Sequence, residues 1–216
     1  MIKKYKFVVV ATDIVIFTVE DDKLKVLLIK MKKKPFTDYY AVPGGLINVD
    51  ESIEKAAKRV LLKQTGIKNF YLEQLHTFSD VNRDPFGRVV STAYFALIAS
   101  TGLNLKTTKE FQNVAWFGVK KLPKLAYDHK EIINFAISNL RKKLIYNNIV
   151  YNLLPKEFTL TNLQKTYEII LGKKLDKRNF RKKIVSLNLV KKTNRLSSGD
   201  AHRPAVLYKM NDDVIM

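Results

Sequence analysis

The sequence predicts an α/β (α+β) chain of two domains, a strand-rich unit followed by a winged helix-turn-helix. Three observations predict it. Five β-branched or aromatic runs fill the first 120 residues, two helical patterns flank a glycine-containing turn beyond residue 160, and positive charge concentrates toward the end. Of 216 residues, 39 are basic and 20 acidic, a net charge of +19; from Arg141 onward, 17 basic side chains face only 6 acidic ones. That asymmetry points to a polyanion partner, nucleic acid first and an anionic surface second. The same charge also suits a plain solvated lysine-rich surface such as "KMKKK" at 30–34. There is no cysteine, so disulfides and thiolate metal sites are ruled out.

The first element is read from "MIKKYKFVVVATDIVIF". Its apolar run is β-branched, broken by Asp13, and lacks a small-residue cleavage site, so it reads as a strand over Val8–Phe17 rather than a signal peptide. No uncharged stretch approaches the ~18 apolar residues of a membrane helix, and a cytoplasmic protein without a membrane partner is expected. "VEDDKLK" reads as a hairpin turn into a second strand, Leu24–Met31. A helix follows over Glu51–Thr65, with Asp50 as its expected cap and Gly66 as the left-handed residue that ends it. Ile53, Ala56, Ala57, Val60, Leu61 and Gln64 share one face. Strands are expected at Tyr71–Phe78, Val89–Ile98 and Val114–Gly118, then a helix over His129–Tyr146 with Asp128 as a plain N-cap.

"YNNIVYNLLPKEF" changes the pattern and marks the domain boundary, dividing the chain into residues 1–148 and 149–216. Beyond it, Thr161 and Gln164 form a capping-box pair opening the helix "NLQKTYEIILG". Gly172–Leu175 is a short turn. Asp176 caps "KRNFRKKIVSLN", in which Phe180, Ile184 and Leu187 keep a buried stripe. Two helices joined by a turn of about four residues containing glycine form a helix-turn-helix. The strands "LVKKTNRL" and "AVLYKMN" around a loop make a wing.

One segment of the first domain carries a chemical pattern. In "GGLINVDESIEKAAKRVLLKQTGI", Glu51 lies six residues after Gly45, Arg59 eight after Glu51, and Gly66–Ile67 close the helix. This resembles the Nudix box, and Gly45, Glu51, Arg59, Leu61, Gly66 and Ile67 match it. Val60, Lys63 and Gln64 stand where the family carries glutamates. Positions 60, 63 and 64 share one helix face, and carboxylates there would hold magnesium against a pyrophosphate. Here one residue offers no ligand, one a neutral ligand, and one a positive charge. Metal-dependent hydrolysis is therefore expected to be lost or very weak. "RDPFGRVVSTAYFAL" and "LAYDHKEII" resemble segments of the Nudix branch that handles ADP-ribose and related nucleotides.

A Nudix domain followed by a winged helix is similar to the Nudix-related transcriptional regulators, from about Phe7 to Met210. The resemblance implies a Nudix α/β/α sandwich with a mixed sheet, and a dimeric regulator whose effector is tied to NAD or sugar metabolism. It implies an operator of double-stranded DNA, a small-molecule effector (ADP-ribose, an NAD-related nucleotide or a free sugar) and a homodimer. No cofactor is expected. Magnesium enters only under the alternative of a working Nudix hydrolase, and an RNA-binding relative is a third reading.

In the first domain, Arg59, Arg83 and Arg88 are the expected anion contacts, through forked hydrogen bonds. Glu51 and Lys63 belong to the altered box face, and His129 lines the pocket on the strength of the resemblance. An internal Arg59–Glu51 salt bridge is an equal alternative for that pair. In the second domain, Lys177, Arg178, Asn179, Arg181, Lys182 and Lys183 lie off the buried stripe. Arg178 and Asn179 suit base edges, since Arg pairs with guanine and Asn with adenine. Arg181, Lys182 and Lys183 suit phosphates, while Lys191, Lys192, Arg195 and Arg203 of the wing suit the flanking backbone.

Overall fold

In a computed structural model of the protein, residues 7–32, 34–68, 70–100, 105, 111–146, 148–197 and 204–211 are described. The chain opens with β1 (Val9–Glu20) and β2 (Lys23–Met31), joined by a tight turn in which Asp21 and Asp22 take φ of 49° and 58°. Both central residues in the left-handed region give the turn a twist that matches its strands, and Asp tolerates it. Two short strands follow, β3 (Tyr40–Ala41) and β4 (Gly44–Leu46), then helix α1 (Ile53–Thr65). β5 (Tyr71–Phe78), β6 (Val89–Leu97), β7 (Phe111–Gly118) and helix α2 (His129–Tyr146) complete the first unit.

The strands form one mixed seven-stranded sheet in the order β3-β2-β1-β6-β5, with β4 on β1 and β7 on β2. β1 and β6 run parallel from Val9↔Val89 to Phe17↔Leu97. Ala11 to Thr18 of β1 are all buried, as expected of a strand covered on both faces. Their side chains alternate between two cores. Ile14 and Ile16 meet Ala57, Val60 and Leu61 of α1, while Val15 and Phe17 meet Ile132, Ile133, Ala136 and Leu140 of α2. The α/β/α sandwich is thus present.

A 3-10 turn (Ile149–Leu153) leads to α3 (Leu160–Leu171), α4 (Lys177–Ser186), and the wing strands β8 (Val190–Leu196) and β9 (Val206–Met210). The second unit is not separated from the first by a polar gap. Leu163, Tyr167 and Ile170 of α3 share the apolar core that contains α2 and one face of the sheet. Arg141 Nε of α2 donates to the Ile170 carbonyl at 2.9 Å, and Lys165 of α3 pairs with Asp22 of the β1–β2 turn at 2.5 Å.

Four local expectations change. α1 begins at Ile53, and Ser52 rather than Asp50 caps it: extended Ser52 accepts the Lys55 N–H on its hydroxyl at 3.3 Å. Gly66 ends the helix in the left-handed region as expected. α3 is capped by Thr159, whose extended backbone lets its hydroxyl accept the Asn162 N–H; Thr161 lies inside the helix and takes a hydrogen bond from Arg181 instead. Leu187 falls beyond the end of α4 and is 50% exposed, so the stripe is completed by Leu189 and Val190. Asp128 opens α2 with its carbonyl, and its carboxylate is turned to Arg83. The Asp176 cap on α4, with the Asn179 N–H at 2.8 Å, is as expected.

Glu168 fastens the helix-turn-helix. Its carboxylate, 12% exposed, accepts from the Leu175 N–H at 2.9 Å, from Gln164 Nε2 at 3.0 Å and from Lys174 at 3.1 Å. The Leu175 amide first, then Gln164 and Lys174, hold its pKa down to about 2. Gly172 reverses the chain at φ 71°, donating to the Glu168 carbonyl at 2.8 Å.

Candidate functional site

Three of the box positions where a metal ligand would sit, Glu51, Val60 and Gln64, are occupied by structural work. Val60 is buried in the core beneath Gly45, where an added Cβ would come within 3.6 Å of its Cγ2. Gln64 is buried and holds both polar groups of one glycine, accepting the Gly44 N–H at 3.2 Å and donating to the Gly44 carbonyl at 2.8 Å. A carboxylate could not make the second bond. Glu51 accepts the Asn48 N–H at 2.8 Å and is forked with Arg59, whose Nε lies 2.9 and 3.2 Å from its two oxygens. Arg59 first, then the Asn48 amide, hold the Glu51 carboxyl below the usual carboxylate range. Lys63 is exposed on the same helix. Among the described residues no three carboxylate or imidazole groups gather where a metal could be held. Magnesium needs several oxygens placed together, and these residues do not fit it.

Beside the box lies a pocket of about 420 Å³. Its floor is Asp13 of β1, Gly44 and Gly45 of β4, and Arg83; His129 opens α2 at one side, Phe36, Phe111 and Tyr127 form an aromatic wall, and Lys34 also lines the pocket. Gly44 is required by close approach, since a Cβ there would stand 2.2 Å from Asp13 Oδ1. The floor is a buried charge cluster. Arg83 donates to Asp13 at 3.0 Å and through Nε and Nη2 to Asp128, both at 2.8 Å. Ser91 Oγ donates to Asp13 at 2.7 Å, and His129 Nε2 stands 3.5 Å from its other oxygen. The Val42 N–H donates to His129 Nδ1 at 3.1 Å, so the ring proton belongs on Nε2, facing Asp13. Burial opposes the Asp13 carboxylate, but His129, Arg83 and Ser91 outweigh it and hold the pKa down to about 2. Burial pushes Asp84, another lining residue, upward.

Arg83 and His129 therefore line the pocket, while Arg59, Glu51 and Lys63 are not among its lining residues. Arg88 donates to the Ser79 and Asp80 carbonyls at 2.7 and 3.0 Å and ties down the loop before β6. Sequence reasoning missed Asp13, Asp128, Lys34 and the aromatic wall as site residues. Asp13 carried a usable signal, because an acid inside an otherwise apolar buried strand needs a partner. The others come together only through the fold.

On α4, Lys177, Arg178, Asn179, Lys182 and Lys183 are exposed, and the helix carries no acid after its Asp176 cap. Arg181 is partly buried: its Nη2 reaches Thr161 at 3.2 Å and its Nε is buried without a hydrogen bond. It braces α4 against α3 rather than standing free. Lys191, Lys192 and Arg195 are exposed on β8, with Arg195 at 3.4 Å from Glu157. Arg203 lies outside the described residues. No described helix is long and apolar enough to cross a membrane.

Two family models match the chain, the NUDIX domain over residues 9–135 and the NrtR DNA-binding winged helix domain over 150–210. The chain is 35% identical over 209 residues to the ADPR responsive transcriptional repressor NtrR of Acinetobacter baylyi, covering 95% of this chain and 83% of that protein. Shewanella oneidensis NrtR complexed with a 27mer DNA is 32% identical with a TM-score of 0.83, covering 94% of each chain. The NUDIX domain of the same protein complexed with ADP ribose is 33% identical, TM-score 0.57, covering 63% of this chain and 90% of that one. The first unit is also 34% identical over 132 residues to an ADP-ribose pyrophosphatase of Methanocaldococcus jannaschii, covering 61% of this chain and 76% of that protein.

Proposed function

This chain belongs to the NrtR family of Nudix-related transcriptional regulators, and we propose that it is a repressor whose effector is ADP-ribose. The single observation that carries the reading is the union, in one chain, of a ligand pocket beside a metal-incompetent box with a basic recognition helix. The box has become a clamp. Gln64 fixes the Gly44 peptide that floors the pocket, so the site binds without the metal that hydrolysis would require. ADP-ribose is favoured over a free sugar because the related repressor and the related NUDIX complex are both named for it.

The effector acts through α2. At its start, Asp128 and His129 hold the charge cluster on the pocket floor. Near its other end, Arg141 grips the last turn of α3. A ligand that bears on Arg83 or Asp13 thus bears on an 18-residue rod whose far end packs on the helix-turn-helix. Binding shifts the population between arrangements to the extent that it favours one of them. A cytoplasmic homodimer would present two α4 helices to successive major grooves about 34–36 Å apart. The pyrophosphatase reading, supported by the similarity to the archaeal enzyme, asks for oxygen ligands that Val60, Lys63 and Gln64 do not provide.

The test is a mobility shift with duplex DNA from the gene's own upstream region, with and without ADP-ribose. The expected result is a sequence-specific complex that ADP-ribose dissolves. Equal retention of random duplex, or release of AMP from ADP-ribose with magnesium, would overturn the reading.

A further inference from the structure

The altered box raises a question of charge. In a hydrolase the metals neutralise the diphosphate of the substrate; here the donor set for them is missing, and the effector's two phosphates need another counter-charge. Among the described residues lining the pocket, the permanent cations are Arg83 and Lys34. Arg83 is spent: its side chain is 4% exposed and its charge is more than matched by Asp13 and Asp128. Asp84 adds a further acid to the lining. Arg59, the box arginine, is forked onto Glu51 and the Leu46 carbonyl. Lys34 lines the pocket, is exposed, and among the described residues makes no ion pair with a carboxylate.

We propose that Lys34 is the specificity-determining residue that receives the diphosphate, supplying the positive charge that metal ions supply in the hydrolases. The assignment rests on the ADP-ribose reading above. A lysine suits the role as a compact charge on a long stem that can follow a phosphate without fixed geometry. The division of labour follows the lining. Acids on the floor accept from hydroxyls and repel phosphate. Phe36 and Tyr127, their rings tilted with centroids 4.4 Å apart, give the same pocket the apolar aromatic lining that suits a base, and Lys34 lines it with them. The diphosphate is thereby held by Lys34 rather than by Arg83, whose charge Asp13 and Asp128 already match.

Calorimetry on the full chain tests this with ADP-ribose, AMP and adenosine as probes, at two salt concentrations, for the wild type, Lys34→Gln and Lys34→Arg. Lys34→Gln is expected to weaken ADP-ribose by about ten- to a hundredfold, the scale of one hydrogen bond to a charged group. It should flatten the salt dependence, leave adenosine within about twofold, and leave operator binding without effector unchanged. Lys34→Arg should recover most of the loss. Unchanged ADP-ribose affinity in Lys34→Gln, or an equal loss for adenosine, would overturn the assignment while leaving the ADP-ribose reading intact. A wild type that binds none of the probes would overturn both.

Discussion

Removing the Arg83 guanidinium is the most informative single perturbation of the pocket. In Arg83→Met the apolar stem is kept and three hydrogen bonds are lost, at 2.8, 2.8 and 3.0 Å. Two carboxylates lose their counter-charge, with Asp13 and Asp128 only 8% and 13% exposed. Breaking a buried ion pair from one side costs about 3–5 kcal/mol, a large share of the 5–15 kcal/mol that holds a domain together. The pH dependence should change with it. A carboxyl held at about 2 instead of its ordinary 3.8 contributes stability on the order of 2–3 kcal/mol, taking ~1.36 kcal/mol for each pH unit. Because the folded value is depressed, that stabilisation is complete above pH 3.8 and is lost as pH falls toward 2. The assay is urea unfolding at pH 7 and at steps between pH 5 and 2.5, on the wild type, Arg83→Met, and the double variant with Asp13→Asn. Arg83→Met should lose about 3–5 kcal/mol at pH 7 and show a flatter acid limb, and the added Asp13→Asn should recover part of the loss. A loss under about 1 kcal/mol, or strictly additive variants, would refute the argument that these charges act as a unit.

Three further outcomes are expected. Gln64→Glu, which restores one acid of the box, sets a carboxylate oxygen against the Gly44 carbonyl; it should cost about 1–3 kcal/mol and yield no AMP from ADP-ribose with magnesium by phosphorus NMR. In Glu168→Ala the Leu175 amide loses its acceptor, so its hydrogen exchange should quicken and operator affinity fall while the sheet amides keep their protection; an unmoved Leu175 amide would count against the fastening role. Arg178→Ala and Asn179→Ala should each cost about 1–3 kcal/mol on the operator and relax base preference at one position, whereas Lys182→Ala should weaken every duplex alike and reduce the salt slope by about one; footprints and salt titrations separate the two classes.

The sequence made the elements legible where periodicity was long. The β1–β2 hairpin, the sandwich helices and the helix-turn-helix all follow from runs of eight or more residues and from Gly66, Gly172 and Asp176. The two- and three-residue strands at Tyr40–Ala41 and Gly44–Leu46 carry too few side chains to announce themselves, yet they floor the pocket. Caps slipped by two residues because Asp50 and Ser52, or Thr159 and Thr161, offer the same chemistry, and the backbone angle decides between them. The missing acids of the box were plain in the sequence. What replaced them was not: that Gln64 clamps Gly44, and that Asp13, Arg83, Asp128 and His129 meet, depends on contacts 20 to 87 residues apart.

The most direct test of the central claim is reciprocity. An effector that releases DNA must itself be bound more weakly by the DNA-bound protein, by the same factor. ADP-ribose affinity should be measured on the full-length protein, free and saturated with its operator, alongside operator affinity with and without saturating ADP-ribose. The account predicts that both ratios are well above one and equal. Equal ADP-ribose affinities with and without operator would mean that the pocket does not speak to the recognition helix, and the regulator described here would be contradicted.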